Sequence, residues 1–386
     1  MLSLQEILLY FDPVEPLALF TDERILSSVG ESTGIYRKQG NPPDLDKAKI
    51  VLAGIGNPRL ADEIRSWLYG LSSVLPAGDL VDLGNLREGK TAANTRIGLM
   101  DVITELGKAH KIIVLIGRDT HDVLTLGKAY SRLETPYNLA VIDSVIDFMP
   151  EDQSSRSHYL NELVADPDGC LYDFVHLGYQ SYLSDAGSFD RLGEFFFESH
   201  RLGILRDDIR ESEPVFRNSD LLVFSMNAIR QTEAPGVTFP SANGFTAEES
   251  CQLARFAGLS DKLSLFALAG FQPGRDKGEQ TSGLAAQLIW HFLQGVTQRK
   301  SDYPFSDISL YQKYLINLPK TGFNLTFYKS PASGRWWVEV PFPAAKYPRS
   351  LYVACSSRDY QVAGEGDIPD RWWNHYRRLS FQLLHT

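Results

Sequence analysis

Three apolar runs of this chain end in short polar clusters whose residue types suit metal-ion chemistry. Ile112–Ile116 leads into Gly117-Arg118-Asp119-Thr120-His121-Asp122. Leu139–Ile142 leads into Asp143-Ser144-Val145-Ile146-Asp147, and Leu221–Phe224 into Ser225-Met226-Asn227. Carboxylates and an imidazole converging on one crevice suit manganese or zinc. In an extended segment Asp143, Val145 and Asp147 point to one side, so the two aspartates are placed to share an ion. The third cluster is neutral at the positions where such an ion needs anions, because Ser225 and Asn227 offer a hydroxyl and an amide.

Other chemistries have weaker footing. Gly54-Ile55-Gly56-Asn57-Pro58-Arg59 offers G-x-G after an apolar run, with Asp82 far enough on to resemble a ribose-binding acid. The third glycine of a dinucleotide fingerprint is absent, and Pro58 removes an amide donor, which favours an ordinary tight turn. No G-x-S-x-G occurs, the eight histidines are dispersed, and no cysteine sits in a nucleophile context. Cys170, Cys251 and Cys355 form neither C-x-x-C nor an even framework, which fits a reducing compartment.

The elements that must position these residues can be read from periodicity. Continuous apolar runs at 49–55, 111–116, 139–142, 174–177, 221–224 and 263–268 predict strands buried on both faces. Amphipathic windows at 60–69, 95–109, 124–132, 247–257 and 280–296 predict helices between them. Thr246 before Ala247-Glu248-Glu249 is a predicted N-cap with acids in the first turn. The alternation predicts a parallel sheet with helices on both faces, and ligands bind beyond the carboxyl ends of such strands.

The formal charge of −10 over 386 residues argues against nucleic-acid or anionic-membrane binding. Residues 296–386 carry 12 Lys+Arg against 7 Asp+Glu, so the remainder is strongly acidic. Scattered solvated charge is favoured over a docking role for this imbalance. No apolar run is long enough to span a membrane, and the first residues lack a basic leader, so the expected location is the cytoplasm. Beyond residue 300 the chain is rich in aromatics and Pro, with Trp336-Trp337 and Trp372-Trp373 expected to pack against the main body or a neighbouring subunit. The expected organisation is an N-terminal arm (1–47), an α/β domain (48–300) and a C-terminal extension (301–386).

The order of the three clusters resembles that of the ureohydrolase superfamily of arginase, agmatinase and formimidoylglutamase. There, Gly-Gly-x-His, Asp-x-His-x-Asp and Ser-x-Asp-x-Asp each follow a strand. The divergent arginase or formimidoylglutamase-like proteins with a long C-terminal extension are especially similar. Supporting pieces are Leu177-Gly178-Tyr179-Gln180-Ser181-Tyr182, Arg201-Leu202-Gly203, Ala228-Ile229-Arg230, Asn243-Gly244-Phe245 and Ala257-Gly258-Leu259-Ser260-Asp261-Lys262, followed by Arg335-Trp336-Trp337 and Asp370-Arg371-Trp372-Trp373. The resemblance covers the chain from about residue 45. It implies an arginase-like three-layer α/β/α sandwich with a mainly parallel sheet, a dimanganese centre, and assembly as a homo-oligomer, trimeric or hexameric.

Carried over position by position, that centre is degenerate. An ungapped match puts Arg118 at the second glycine and Thr120 at the histidine of the first motif, while a one-residue slip offers His121. Asp143 and Asp147 match ligands, but Val145 replaces the histidine between them. Ser225 and Asn227 replace both later aspartates, and Gly270 stands where the family has a glutamate. The reading that follows is a pseudoenzyme that needs no cofactor and acts by binding or as a subunit of a protein assembly. The alternative is an active hydrolase of guanidino or formimino substrates, with manganese on His121, Asp143 and Asp147. Arg118 either fills the vacated ion site against Asp143 and Asp147 or faces solvent. An unrelated nucleotide-binding α/β protein is a third, weaker reading.

Overall fold

The computed structural model describes residues 4–19, 25, 27–117, 122–149, 158–303, 307–342 and 350–385, the last five of these by backbone. Ten strands form one sheet: β1 (Phe11–Asp12), β2 (Gly34–Ile35), β3 (Ile50–Gly54), β4 (Leu80–Leu86), β5 (Ile112–Ile116), β6 (Tyr137–Ile142), β7 (Leu171–Tyr179), β8 (Glu198–Arg201), β9 (Leu221–Ser225) and β10 (Leu265–Ala269). Their order is β1-β4-β3-β5-β10-β9-β6-β7-β8, with β2 also pairing with β4. All pairs but β1 with β4 are parallel.

Strand alternation divides the core in two. Leu52, Val114, Ile142, Phe224, Phe266 and Leu268 face a layer that includes the helices Pro58–Gly70, Ala247–Gly258 and Gln280–Thr297. Val51, Leu115, Val141, Val223 and Ala267 face the helices Ala92–Lys108, Asp122–Ser131 and Tyr159–Ala165. This is the expected three-layer sandwich, and Thr246 caps its helix through a reciprocal bond pair with Glu249.

Four strands of this sheet, β1, β2, β4 and β8, escape the periodicity reading. Strand β4 reads LVDLGNL and buries Asp82 and Asn85 among its leucines. Polar residues at buried positions break the apolar signal, and they are tolerated because Arg65, on another element, satisfies both. Strand β8, ESHR, has no apolar residue. Within residues 1–47, β1 and β2 join the sheet through β4.

A second, antiparallel sheet follows: β11 (Gln312–Leu318), β12 (Phe323–Lys329), β13 (Trp336–Pro341) and β14 (Ser350–Cys355), in that order. The helix Asp370–His385 packs on it, with Trp372 buried against Phe323 and its indole N–H donating to the Glu339 carbonyl at 2.9 Å. The tail is bolted to the main body just before β9. There Arg217 donates to the carbonyls of Trp336 (3.0 Å) and Cys355 (2.8 Å) and lies over the Trp337 ring. Trp337 thus meets the main body through Arg217, whereas Trp372 packs in the core of the extension itself rather than on the main body.

Candidate functional site

Strands β5, β10, β9 and β6 lie side by side, and the chain order reverses across them, which opens a crevice beyond their carboxyl ends. Gly117, Gly270, Ser225 and Asp143 stand at these ends. Arg118, Thr120 and His121 lie outside the described residues, so the two placements of the first motif both stand.

Asp143 is partly exposed as a residue, but its carboxyl group is enclosed by protein. The Ser144 N–H donates to it at 2.6 Å, and the Ser225 hydroxyl bonds it from the neighbouring strand. Desolvation raises its pKa to about 6, with those hydrogen bonds opposing the shift. Behind it, the buried His176 donates from Nε2 to the Asp143 carbonyl at 3.0 Å. Burial lowers the His176 pKa to about 4, so this imidazole is neutral.

The extended segment expected at residues 143–147 is not formed. The chain bends at Ser144 and Val145. Val145 is 38% exposed, and the Ile146 N–H is held by Ser184 Oγ at 3.2 Å. Asp147 pairs instead with His158 Nδ1 at 2.5 Å and accepts from the Tyr159 N–H at 3.3 Å. The strand alternation expected to point Asp143 and Asp147 to one side is therefore corrected, since a bend and a helix-start partner replace it. His158 went unnoticed in the sequence because nothing in its spacing marks it.

Ser225 and Asn227 are both buried. Ser225 Oγ also accepts from the Asn227 N–H at 3.3 Å, and Asn227 Oδ1 accepts from the Phe239 N–H at 2.9 Å. Gly270 closes this corner at φ +85°. A Cβ there would lie 2.8 Å from Ser225 Oγ and 2.9 Å from Asn227 Nδ2. The three residues form one packed unit, with no space for a side chain at Gly270.

The loops around the crevice are cross-linked. The Gln180 N–H bonds the Ser144 carbonyl at 2.9 Å, its side chain donates to the Asn243 carbonyl at 3.1 Å, and the Tyr182 hydroxyl bonds its Oε1. At the other candidate, Asp82 does not await a ribose. It lies in a bidentate pair with Arg65 and accepts from the Tyr69 hydroxyl at 2.7 Å. Asn57 caps the helix that Pro58 begins, so Gly54–Arg59 is a strand-to-helix turn.

The sequence profile of the Arginase family matches residues 61–294. The chain belongs to the arginase family. The formimidoylglutamase of Staphylococcus haemolyticus is 25% identical over 256 residues, which is 62% of this chain and 79% of that protein. The formimidoylglutamase of Staphylococcus aureus is 24% identical over 262 residues, 65% of this chain and 83% of that protein. Among solved structures, the Trypanosoma cruzi formiminoglutamase with manganese superposes with TM-score 0.60 at 18% identity, covering 67% of this chain and 96% of that one. The Bacillus subtilis formimidoylglutamase gives 0.61 at 15% identity, covering 74% and 96%. The fold is arginase-like, with the antiparallel C-terminal sheet added.

The manganese pair suggested by such relatives can be tested on the donor set. Among the described residues no three His, Cys, Asp or Glu side chains are grouped to hold an ion. Asp147 is engaged by His158, and the β9–β10 corner is neutral and filled. Two divalent cations need more anionic compensation than these residues supply, so the described residues do not fit a dimetal centre. No helix among them is long and apolar enough to cross a membrane.

A pH experiment reads the Asp143 environment directly. A carboxyl whose folded pKa is raised to about 6, above the ordinary aspartate value, binds its proton more tightly when folded. Its contribution to stability is complete below about pH 4 and is lost as the pH rises through 6. Asp143→Asn is expected to remove that part of the decline. The difference between wild-type and variant melting temperatures should widen in the variant's favour from pH 4 to 7. A constant difference would place Asp143 in an ordinary solvated setting.

Proposed function

We propose that this arginase-family chain holds a guanidino or formimino compound at Asp143 and acts by binding, without a dimanganese centre. The observation that carries this reading is the corner where Gly270 meets Ser225 and Asn227 with no space for a side chain. One enclosed carboxylate beside hydroxyl and amide groups suits a single amidinium cation, which donates charge-assisted hydrogen bonds to it from one face. Such a cation would favour the ionised form of Asp143, whose enclosure otherwise favours the proton. Homo-oligomeric assembly, as a trimer or hexamer, belongs to the same proposal and is measured by sedimentation.

The relatives weigh toward a second reading, hydrolysis, because the two similar Staphylococcus proteins are named formimidoylglutamase. In that reading His121, Asp143 and Asp147 hold one ion, and Ser225 and Asn227 contact substrate.

One set of measurements separates the two. Purified protein is dialysed against manganese, its metal content is determined, and turnover of arginine, agmatine and formimidoylglutamate is followed alongside binding. The proposal expects no stoichiometric manganese, no turnover, and binding of at least one amidine that Asp143→Asn weakens by about tenfold or more. Stoichiometric manganese with turnover lost in Asp143→Ala would establish the hydrolase instead.

A further inference from the structure

The end of the sheet opposite the crevice holds a second cavity of about 380 Å³, between the main body and the C-terminal extension. Its size falls within the range of small-molecule sites. Asn138 of β6 and Tyr172 of β7 line it near the amino ends of their strands, as do Asn218 and Lys262, which precede β9 and β10. The opposite wall is apolar, from Phe342, Leu351, Val353 and Leu379, with His375 beside them.

The ammonium at this cavity is short of an acceptor. Lys262 Nζ donates to the Asn218 carbonyl at 2.8 Å and to Asp220 at 2.8 Å, which engages two of its three N–H groups. Asp220 is also satisfied by the Asn138 N–H at 2.8 Å. The Tyr172 hydroxyl is enclosed beside Arg378 rather than open to the cavity. Arg378 lies over the Tyr172 ring and is paired with Asp173 at 2.7 Å. Burial and the neighbouring Arg378 push the His375 pKa down to about 3, so no imidazolium adds charge. The cavity thus pairs the ammonium of Lys262, with one N–H to spare, with a hydrocarbon wall.

We propose that this cavity binds a small apolar monocarboxylic acid, with its carboxylate on Lys262 and its aryl or branched alkyl body against Phe342, Leu351, Val353 and Leu379. A carboxylate supplies the acceptor that the third N–H of Lys262 lacks, and the charge-assisted bond to Lys262 selects acid over amide. The body excludes water from the apolar wall and gains hydrophobic burial. The site is independent of the crevice at Asp143 and of whether that crevice is catalytic.

Titration calorimetry on the full chain with 3-phenylpropionate, indole-3-acetate and 4-methylpentanoate tests the proposal, with the matching amides as controls. At least one acid is expected to bind with a Kd at or below about 1 mM, its amide about tenfold more weakly. Lys262→Gln is expected to weaken the acid by about tenfold and leave the amide unchanged. Leu351→Trp, which fills the cavity, should abolish both while the melting transition remains cooperative. Acid and amide binding equally, Lys262→Gln binding the acid as wild type does, or no saturable binding of any acid at about 10 mM would overturn the proposal.

Discussion

Arg65→Met is expected to destabilise the folded chain by about 3–5 kcal/mol, read as a lower midpoint in chemical denaturation. Arg65 and Asp82 are both 0% exposed. The guanidinium bonds Asp82 through Nε at 2.8 Å and Nη2 at 3.0 Å, Asn85 Oδ1 at 2.7 Å and the Gly84 carbonyl at 2.7 Å. Methionine fills much the same volume but leaves the Asp82 charge with only the Tyr69 hydroxyl and the Gly84 N–H. Breaking a buried pair on one side is costly because the surviving ion stays desolvated. The double variant Arg65→Met, Asp82→Leu should recover much of the loss, since it removes both charges together. A single-variant loss below about 1 kcal/mol would mean that water reaches the pair. The network also explains why Gly54 must be small, because a Cβ there would lie 2.2 Å from Asn85 Oδ1.

Gly270→Glu, which restores the family's acidic residue, is expected to cost about 2–5 kcal/mol and to bring no metal binding. Two costs combine. A non-glycine residue at φ +85° is strained, by about 1–3 kcal/mol. Its Cβ must also displace Ser225 Oγ and Asn227 Nδ2, and Asn227 is held by the Phe239 N–H. Gly270→Ala carries both of these costs without the carboxylate, so comparing the two variants isolates the charge. If Gly270→Glu melts with the wild type, the corner has room for a carboxylate, and the argument it lends against a metal centre fails.

Strands β3, β5, β6, β7, β9 and β10 were legible because burial on both faces demands unbroken apolar runs. Strand β4 was hidden by Asp82 and Asn85, whose burial is acceptable only once Arg65 is folded against them. One C-terminal strand was hidden for a different reason. Strand β11, QKYLINL, is exposed over most of its length, so its apolar residues do not report a core.

In the crevice, order along the chain was enough to bring Asp143, Ser225, Asn227 and Gly270 to adjacent strand ends, since a parallel sheet sends each carboxyl end to the same edge. The partners that decide their chemistry come from elsewhere. His158 takes Asp147, and Phe239 takes Asn227 through a loop contact.

By itself, then, the sequence determined the arginase-family sandwich and the neutral residues at its pocket, because periodic burial and residue identity are local properties. The tertiary structure alone decided that Asp143 is enclosed, that Asp147 is already paired, and that Gly270 leaves no space beside Ser225. Desolvation, ion pairing and steric exclusion depend on which distant atoms meet, and no spacing along the chain encodes those meetings.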